Sequence, residues 1–273
     1  MAEIDWRGAQ ADYEEQGFAV LRGLLPTDVV LAARTEYQTV FPDAPRELPE
    51  GDEPLVVLWY HAANGFKRYL GLSQTPAFAA VVSHPAIVAP VTSICNGPVR
   101  LFETIIFNKP PGEGGNLAWH QDASFYPLAG GIQLSALVML DPATEENGAV
   151  SFAAGSHKSE LMSAVDLHTG DRLRGDERAA PDDPAAFGFK VVTPLLDPGD
   201  VVLFHNLVWH GSGPNRTQDR QRRLLSLRYA SLDTCYQTVP GNSASFMHQI
   251  KTPEGQPLSG STFPIVEPGG KLT

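Results

Sequence analysis

The sequence predicts a mainly β fold with an α-helical layer: helices packed on an antiparallel β-sandwich or barrel. Three observations carry this. Helical periodicity and capping residues are confined to roughly the first 98 positions. From Val99 onward the pattern changes to short β-branched and aromatic runs separated by Gly, Pro, Asn and Asp. The length of 273 residues is enough to bury a large core, and β-barrels of this size are commonly one domain. A single domain over 1–273 is therefore expected, with a helical region over 1–98, a β core over 99–235 and a tail over 236–273.

In chain order, 8–41 read as helical with one break. Asp12 to Gly17 closes a short helix on glycine, Phe18 to Leu21 is a strand, and Pro26-Thr27-Asp28 opens the next helix. In that helix Val29, Val30, Ala33, Tyr37 and Val40 make an apolar stripe, which reads as a packing face. Residues 42–54 are a proline- and acid-rich loop, followed by a short strand from Leu55 to Tyr60. His61 after it reads as a hydrogen-bonded wall residue. Residues 75–96 carry two helices separated at His84-Pro85, the second ending near Asn96-Gly97. Strands are then expected over Val99 to Phe107, Gln133 to Leu140, Ala149 to Ala153, Phe189 to Thr193, Val201 to Leu207 and Leu224 to Ala230. The charged stretch 163–188 and the Pro/Gly/Ser-rich tail after Tyr236 are each a lid over a cavity or a surface segment.

The stretch Trp119-His120-Gln121-Asp122 is where chemistry concentrates. In an extended strand alternate side chains share a face, so His120 and Asp122 converge on one point, while Trp119 and Gln121 point away as packing or supporting groups. Two histidines and one carboxylate on one face of an octahedron are the donor set of non-heme Fe(II) oxygenases, so a third ligand is needed. The run Asp200 to Gly213 supplies two candidates, His205 and His210. Their odd spacing puts them on opposite faces of a regular strand, and the Gly/Ser turn after His210 favours that residue. Downstream, Arg222 and Arg223 also alternate in parity, so only one of them can reach the site and offer a fork to a carboxylate.

These residues form a portion of a longer ordered set: Phe107 to Pro111, His120-Gln121-Asp122, Glu146-Asn147-Gly148, Gly155 to Lys158, Pro198-Gly199-Asp200, and His210 to Asn215 before an arginine. Over roughly 100–230 the chain resembles the phytanoyl-CoA dioxygenase-like enzymes. That resemblance implies a double-stranded β-helix, a cupin-like jelly roll with the metal in its open mouth. It also implies an Fe(II)- and 2-oxoglutarate-dependent dioxygenase that consumes O2. By the same resemblance His120, Asp122 and His210 are iron ligands, and Arg222, Ser212 and Ile105 form the 2-oxoglutarate set. The spacing from His210 to Arg222 is one residue longer than the family pattern, and Ala154 stands where that pattern has proline. A carboxylate at Asp122 fills the position a halide takes in iron halogenases, so hydroxylation or a related hydrogen abstraction is expected. The competing readings are a zinc-type metallohydrolase, which gives no reason for the arginine, and a cupin-like binding protein without catalysis.

A formal net charge of −11 argues against nucleic acid or an anionic membrane as partner, since either would require a basic patch. Cys95 and Cys235 are too few for a disulfide framework and read as reduced thiols. No apolar run approaches the roughly 20 residues of a membrane helix. The expectation is a cytoplasmic monomer or homodimer acting on a small molecule of specialised metabolism, since few basic residues are present to grip a coenzyme A phosphate.

Overall fold

The computed structural model describes residues 6–40, 58–61, 66–69, 75–112, 115–162, 183–237, 250–260 and 263–273. Helix α1 (Arg7–Gln16) ends on Gly17, whose left-handed backbone (φ 84°) lets its N–H donate to Tyr13 O at 2.9 Å. Strand β1 (Phe18–Leu21) follows directly. Helix α2 (Thr27–Val40) buries Val30, Ala33 and Tyr37, three members of the expected stripe. The short strands β2 (Leu58–His61) and β3 (Phe66–Tyr69) pair with each other, and the side chain of His61 lies outside the described residues. Helices α3 (Pro76–Val82) and α4 (Pro85–Ile94) each begin with proline, and His84 between them caps α4 by accepting from Ala86 N–H.

The strands that follow are β4 (Val99–Lys109), β5 (Leu117–His120), β6 (Leu128–Ala129), β7 (Gln133–Met139), β8 (Val150–Ala154), β9 (Lys190–Val192), β10 (Val201–His205), β11 (His210–Ser212), β12 (Arg222–Ser231), β13 (Cys235–Tyr236) and β14 (Ile265–Val266). An antiparallel sheet runs β1-β10-β7-β12-β4-β3-β2, with β14 also on β4, and a smaller one runs β5-β11-β8-β9. Together they make the jelly roll. The larger sheet thus recruits β1, β2 and β3 from the amino-terminal region and β14 from the tail.

Strand alternation divides β12 between two environments. Leu225, Leu227 and Tyr229 join Ile87, Val88 and Val91 of α4 and Phe78 and Val81 of α3 in the helix-side core. Leu224 packs on the other face with Leu137, Met139, Phe152, Val202 and Phe204, between the sheets. Arg222, Ser226 and Arg228 share the parity of Leu224, so four successive inward positions of one strand carry two guanidiniums and a hydroxyl into the roll. Both cysteines are free thiols. Among the described residues no single helix is long and apolar enough to cross a membrane.

Residues 163–182 and 238–249, most of the first expected lid or surface segment and about a third of the second, lie outside the described residues. Residues 184–187 form a 3-10 turn. From residue 250 the tail packs on the roll: Leu258 and Phe263 are buried against Phe102, Tyr126 and Ala230.

Candidate metal centre

His120 ends β5, and His210 begins β11 directly opposite it in an antiparallel pair. Their rings lie 4.1 Å apart between centroids. In each ring Nδ1 faces the carbonyl two residues earlier, Ala118 O at 2.8 Å and Val208 O at 3.0 Å, which selects the tautomer with Nε2 free. Both Nε2 atoms are 3.6 Å from Oδ1 of Asp122. The three ligand atoms lie within 4.8 Å of one another, and all three residues are buried.

The expectation that strand alternation brings His120 and Asp122 together needs one correction. The hydrogen-bonded strand stops at His120; Gln121 stays extended and Asp122 opens a 3-10 turn (Asp122–Ser124). The backbone keeps its alternation for one residue past the sheet, and the turn is fixed by Ser124 Oγ donating to Gln121 O and Ala123 N–H donating to Asn206 O. The choice between His205 and His210 also has a different cause. The chain turns between β10 and β11, and His205 Nδ1 accepts from Leu207 N–H inside that turn. His205 lies beside His157 and Tyr13 near α1, away from the cluster.

Burial pushes the Asp122 carboxyl up, but the Arg228 guanidinium and then the two imidazoles outweigh it and hold the group well below the usual carboxylate range. His210 is pushed down to about 3 by burial and then by His120. The centre is therefore an ionised carboxylate beside an uncharged imidazole, with Nε2 and Oδ1 lone pairs converging. That donor set fits a divalent iron with positions left open.

The two adjacent arginines have different environments. Arg223 is paired in a fork with Asp141, Nε to Oδ2 at 2.7 Å and Nη2 to Oδ1 at 2.9 Å, and lies over the Tyr37 ring. Arg222 is 1% exposed, yet its Nε and Nη1 have no hydrogen-bond partner. Burial lowers its pKa to about 10, which leaves it a cation. A buried guanidinium with unused donors fits an anionic ligand group. Ser212 Oγ, two residues from His210, is likewise buried and without a partner. Ile105 is fully buried and sits opposite Ser226 on β12, between the positions of Arg222 and Arg228.

Sequence reasoning missed four groups. Lys109, opposite Arg222 in register, donates to the carbonyls of Ser212 (3.2 Å) and Gly213 and so braces the turn after His210. Arg228 donates to Oδ2 of Asp122, lies 3.1 Å from Glu103 and covers the Tyr126 ring at 5.0 Å. Ser135 also donates to Oδ2, at 3.2 Å. Glu103 accepts from the Tyr126 hydroxyl. Parity with Arg222 was a signal for Arg228; nothing in the sequence shows that Glu103 stands opposite it.

The remaining motif residues shape the backbone. Gln121 is no metal neighbour: its amide donates to Leu207 O and accepts from Met162 N–H, clamping two loops. Ser156 Oγ accepts from Trp209 N–H next to His210. Asn215 donates to Lys109 O and Arg220 O. Gly148 is required because a Cβ there would lie 2.5 Å from Gly213 O. Asp200 accepts from Gly23 N–H and pairs with Arg22, which ties β10 to the β1–α2 turn.

Comparison with known proteins agrees with this geometry. A probable alpha-ketoglutarate-dependent hypophosphite dioxygenase of Stutzerimonas stutzeri is 36% identical over 138 residues, which is 50% of this chain and 46% of that protein. The peroxisomal phytanoyl-CoA dioxygenase of Rattus norvegicus is 26% identical over 246 residues, covering 85% and 70%. The crystal structure of SnoN, a non-heme alpha-ketoglutarate-dependent epimerase from nogalamycin biosynthesis, superposes with a TM-score of 0.72 at 25% identity, covering 94% and 96%. The phytanoyl-CoA dioxygenase (PhyH) family model matches residues 13–224. With the buried His–Asp–His cluster and the unpartnered arginine beside it, the chain belongs to the phytanoyl-CoA dioxygenase family and is a 2-oxoglutarate-dependent non-heme iron dioxygenase.

Proposed function

We propose that this enzyme hydroxylates a small molecule of specialised metabolism, with iron held by His120, Asp122 and His210 and the far carboxylate of 2-oxoglutarate held by Arg222. The single observation that carries the reading is the buried Arg222 guanidinium with free donors. Ser212 Oγ supplies a second free donor, and Ile105 a buried apolar side chain opposite Ser226 on the same pair of strands. Iron with 2-oxoglutarate and O2 supplies the oxidation of an unactivated C–H bond, releasing succinate and CO2. The chain's own role is to position and to exclude water. Nδ1 bonds to Ala118 and Val208 keep both imidazoles turned inward, Lys109 braces the turn that carries Ser212, and the apolar cluster around Phe152 and Phe204 dries the interior. The charge at Asp122 supports hydroxylation over halogenation, because the carboxylate takes the position a halide would need.

The same reading includes one domain over 1–273, a cytoplasmic monomer or homodimer, and no nucleic-acid or membrane partner. Its supports are the sheet that draws strands from 18 to 266, two free thiols and a net charge of −11. A zinc hydrolase would leave Arg222 without a role. The test is anaerobic titration of the Fe(II)-loaded protein with 2-oxoglutarate. A metal-to-ligand charge-transfer band in the wild type, absent in His210→Ala and shifted to much higher 2-oxoglutarate in Arg222→Ala, is expected; no band in the wild type overturns the reading.

A further inference from the structure

We propose that Arg228 is a positioning residue for the metal centre: together with Ser135 it occupies Oδ2 of Asp122, restricts that carboxylate to one ligand oxygen, and so keeps a coordination position free. The proposal rests on the iron and 2-oxoglutarate reading above.

The two oxygens of Asp122 have separate environments. Oδ1 faces Nε2 of His120 and of His210, each at 3.6 Å. Oδ2 faces away from them and accepts from Arg228 Nη1 and from Ser135 Oγ at 3.2 Å. A carboxylate with one oxygen committed to a guanidinium cannot turn to offer both to a metal without breaking a charge-assisted hydrogen bond inside the protein. An octahedral iron has little room to spare. Two imidazoles and one carboxylate oxygen would take three of six positions, a 2-keto acid chelating through its carboxylate and keto oxygens would take two more, and one would be left for O2. A two-oxygen Asp122 would fill the last.

Arg228 is itself anchored on its far side. Its Nε lies 3.1 Å from Glu103 Oε2, Glu103 accepts from the Tyr126 hydroxyl, and the guanidinium lies over the Tyr126 ring. One cation thus spans two buried acidic side chains, which a lysine's single ammonium could not do with the same fixed geometry. The pairing of β12 with β4 is shifted immediately after Arg228, where Arg228 faces Glu103 but Tyr229 faces Leu101. The extra residue, Phe102, packs edge-on against Tyr126 at 5.2 Å. Bulges beside active sites re-aim side chains, and this one sits at the residue that grips the metal ligand. Burying an arginine between two acidic side chains brings folding little, since apolar residues of similar volume are often as stable; the presence of all three here matches a positioning role.

The experiment uses the Fe(II)-loaded protein under anaerobic conditions with saturating 2-oxoglutarate and two readouts: the charge-transfer band, and the electron paramagnetic resonance signal formed on titration with nitric oxide as an O2 surrogate. The variants are Arg228→Met combined with Glu103→Gln, which removes one charge of each sign, Arg228→Lys, and Ser135→Ala. In the double variant the charge-transfer band should persist while nitric oxide affinity falls about tenfold or more, equivalent to about 1.4 kcal/mol. Arg228→Lys should recover only part of that affinity, because one ammonium cannot hold Oδ2 of Asp122 and Glu103 together. Ser135→Ala, with the weaker donor removed, should lose about threefold. A folded double variant with wild-type nitric oxide affinity overturns the proposal. If the double variant does not fold, unchanged affinity in Ser135→Ala overturns it. Absence of the charge-transfer band in the wild type would instead count against the iron and 2-oxoglutarate reading.

Discussion

Two adjacent arginines show how far a single residue's environment decides its role. Arg222 has buried donors without partners, whereas both oxygens of Asp141 hold Arg223. Arg222→Ala should therefore weaken 2-oxoglutarate binding by roughly 2–5 kcal/mol, the loss expected when one partner of a buried charge pair is removed, with little change in melting temperature. Arg223→Ala should do the reverse: a stability loss of roughly 1.5–3 kcal/mol from the lost fork to Asp141, whose carboxylate keeps Arg34 and the backbone N–H of residue 223, and near-normal co-substrate affinity. Titration calorimetry and thermal melts separate the two, and equal effects on binding would refute the assignment. The histidines make a parallel pair. Metal analysis after anaerobic loading should give about one iron per chain in His205→Ala and little in His210→Ala, since His210, unlike His205, turns Nε2 towards Asp122.

At the scale of elements, the contact between α1 and the end of β10 is pH-sensitive packing outside the centre. His205 is pushed down to about 4 by burial and then by His157, and His157 is itself lowered by burial. The ordinary histidine value is about 6.5. Above it both folded and unfolded chains hold these rings neutral; as pH falls from 6.5 towards 4 the unfolded chain takes up protons first, so the folded state loses stability through that window. His205→Gln should flatten the dependence of melting temperature on pH between roughly 7 and 4.5 relative to the wild type, by circular dichroism. An unchanged slope would show that the ring is solvated. Gly17 lies in the same contact, where a Cβ would come 2.5 Å from the His157 ring, and its left-handed backbone disfavours any side chain.

For the whole molecule, the tail is a structural component of the roll. Phe263 and Leu258 are almost fully buried against Phe102, Tyr126 and Ala230, and β14 pairs with β4. Phe263→Ala should cost roughly 3–5 kcal/mol, measured by denaturant unfolding, as a large core truncation does. Because Tyr126 also bonds Glu103, the same variant should lower iron affinity; full stability would show the tail to be dispensable.

Periodicity and spacing alone made much of this readable. The glycine closing α1, the proline opening α4, and the apolar runs of β4, β7, β10 and β12 are local signals, since capping and run composition depend on near neighbours. The His120–Asp122 pair was legible for the same reason: extended backbone alternates even one residue past the strand. His210 meets that pair in the structure, but the parity argument that set it against His205 is superseded by a turn at 206–208. What only the tertiary structure decided is which charges meet across strands. Asp141 claims Arg223 and Glu103 meets Arg228 because of antiparallel register between strands far apart in sequence, and Lys109 reaches Ser212 and Gly213 from one sheet to the other. Register follows from the packing of the whole sheet, and no single strand carries it.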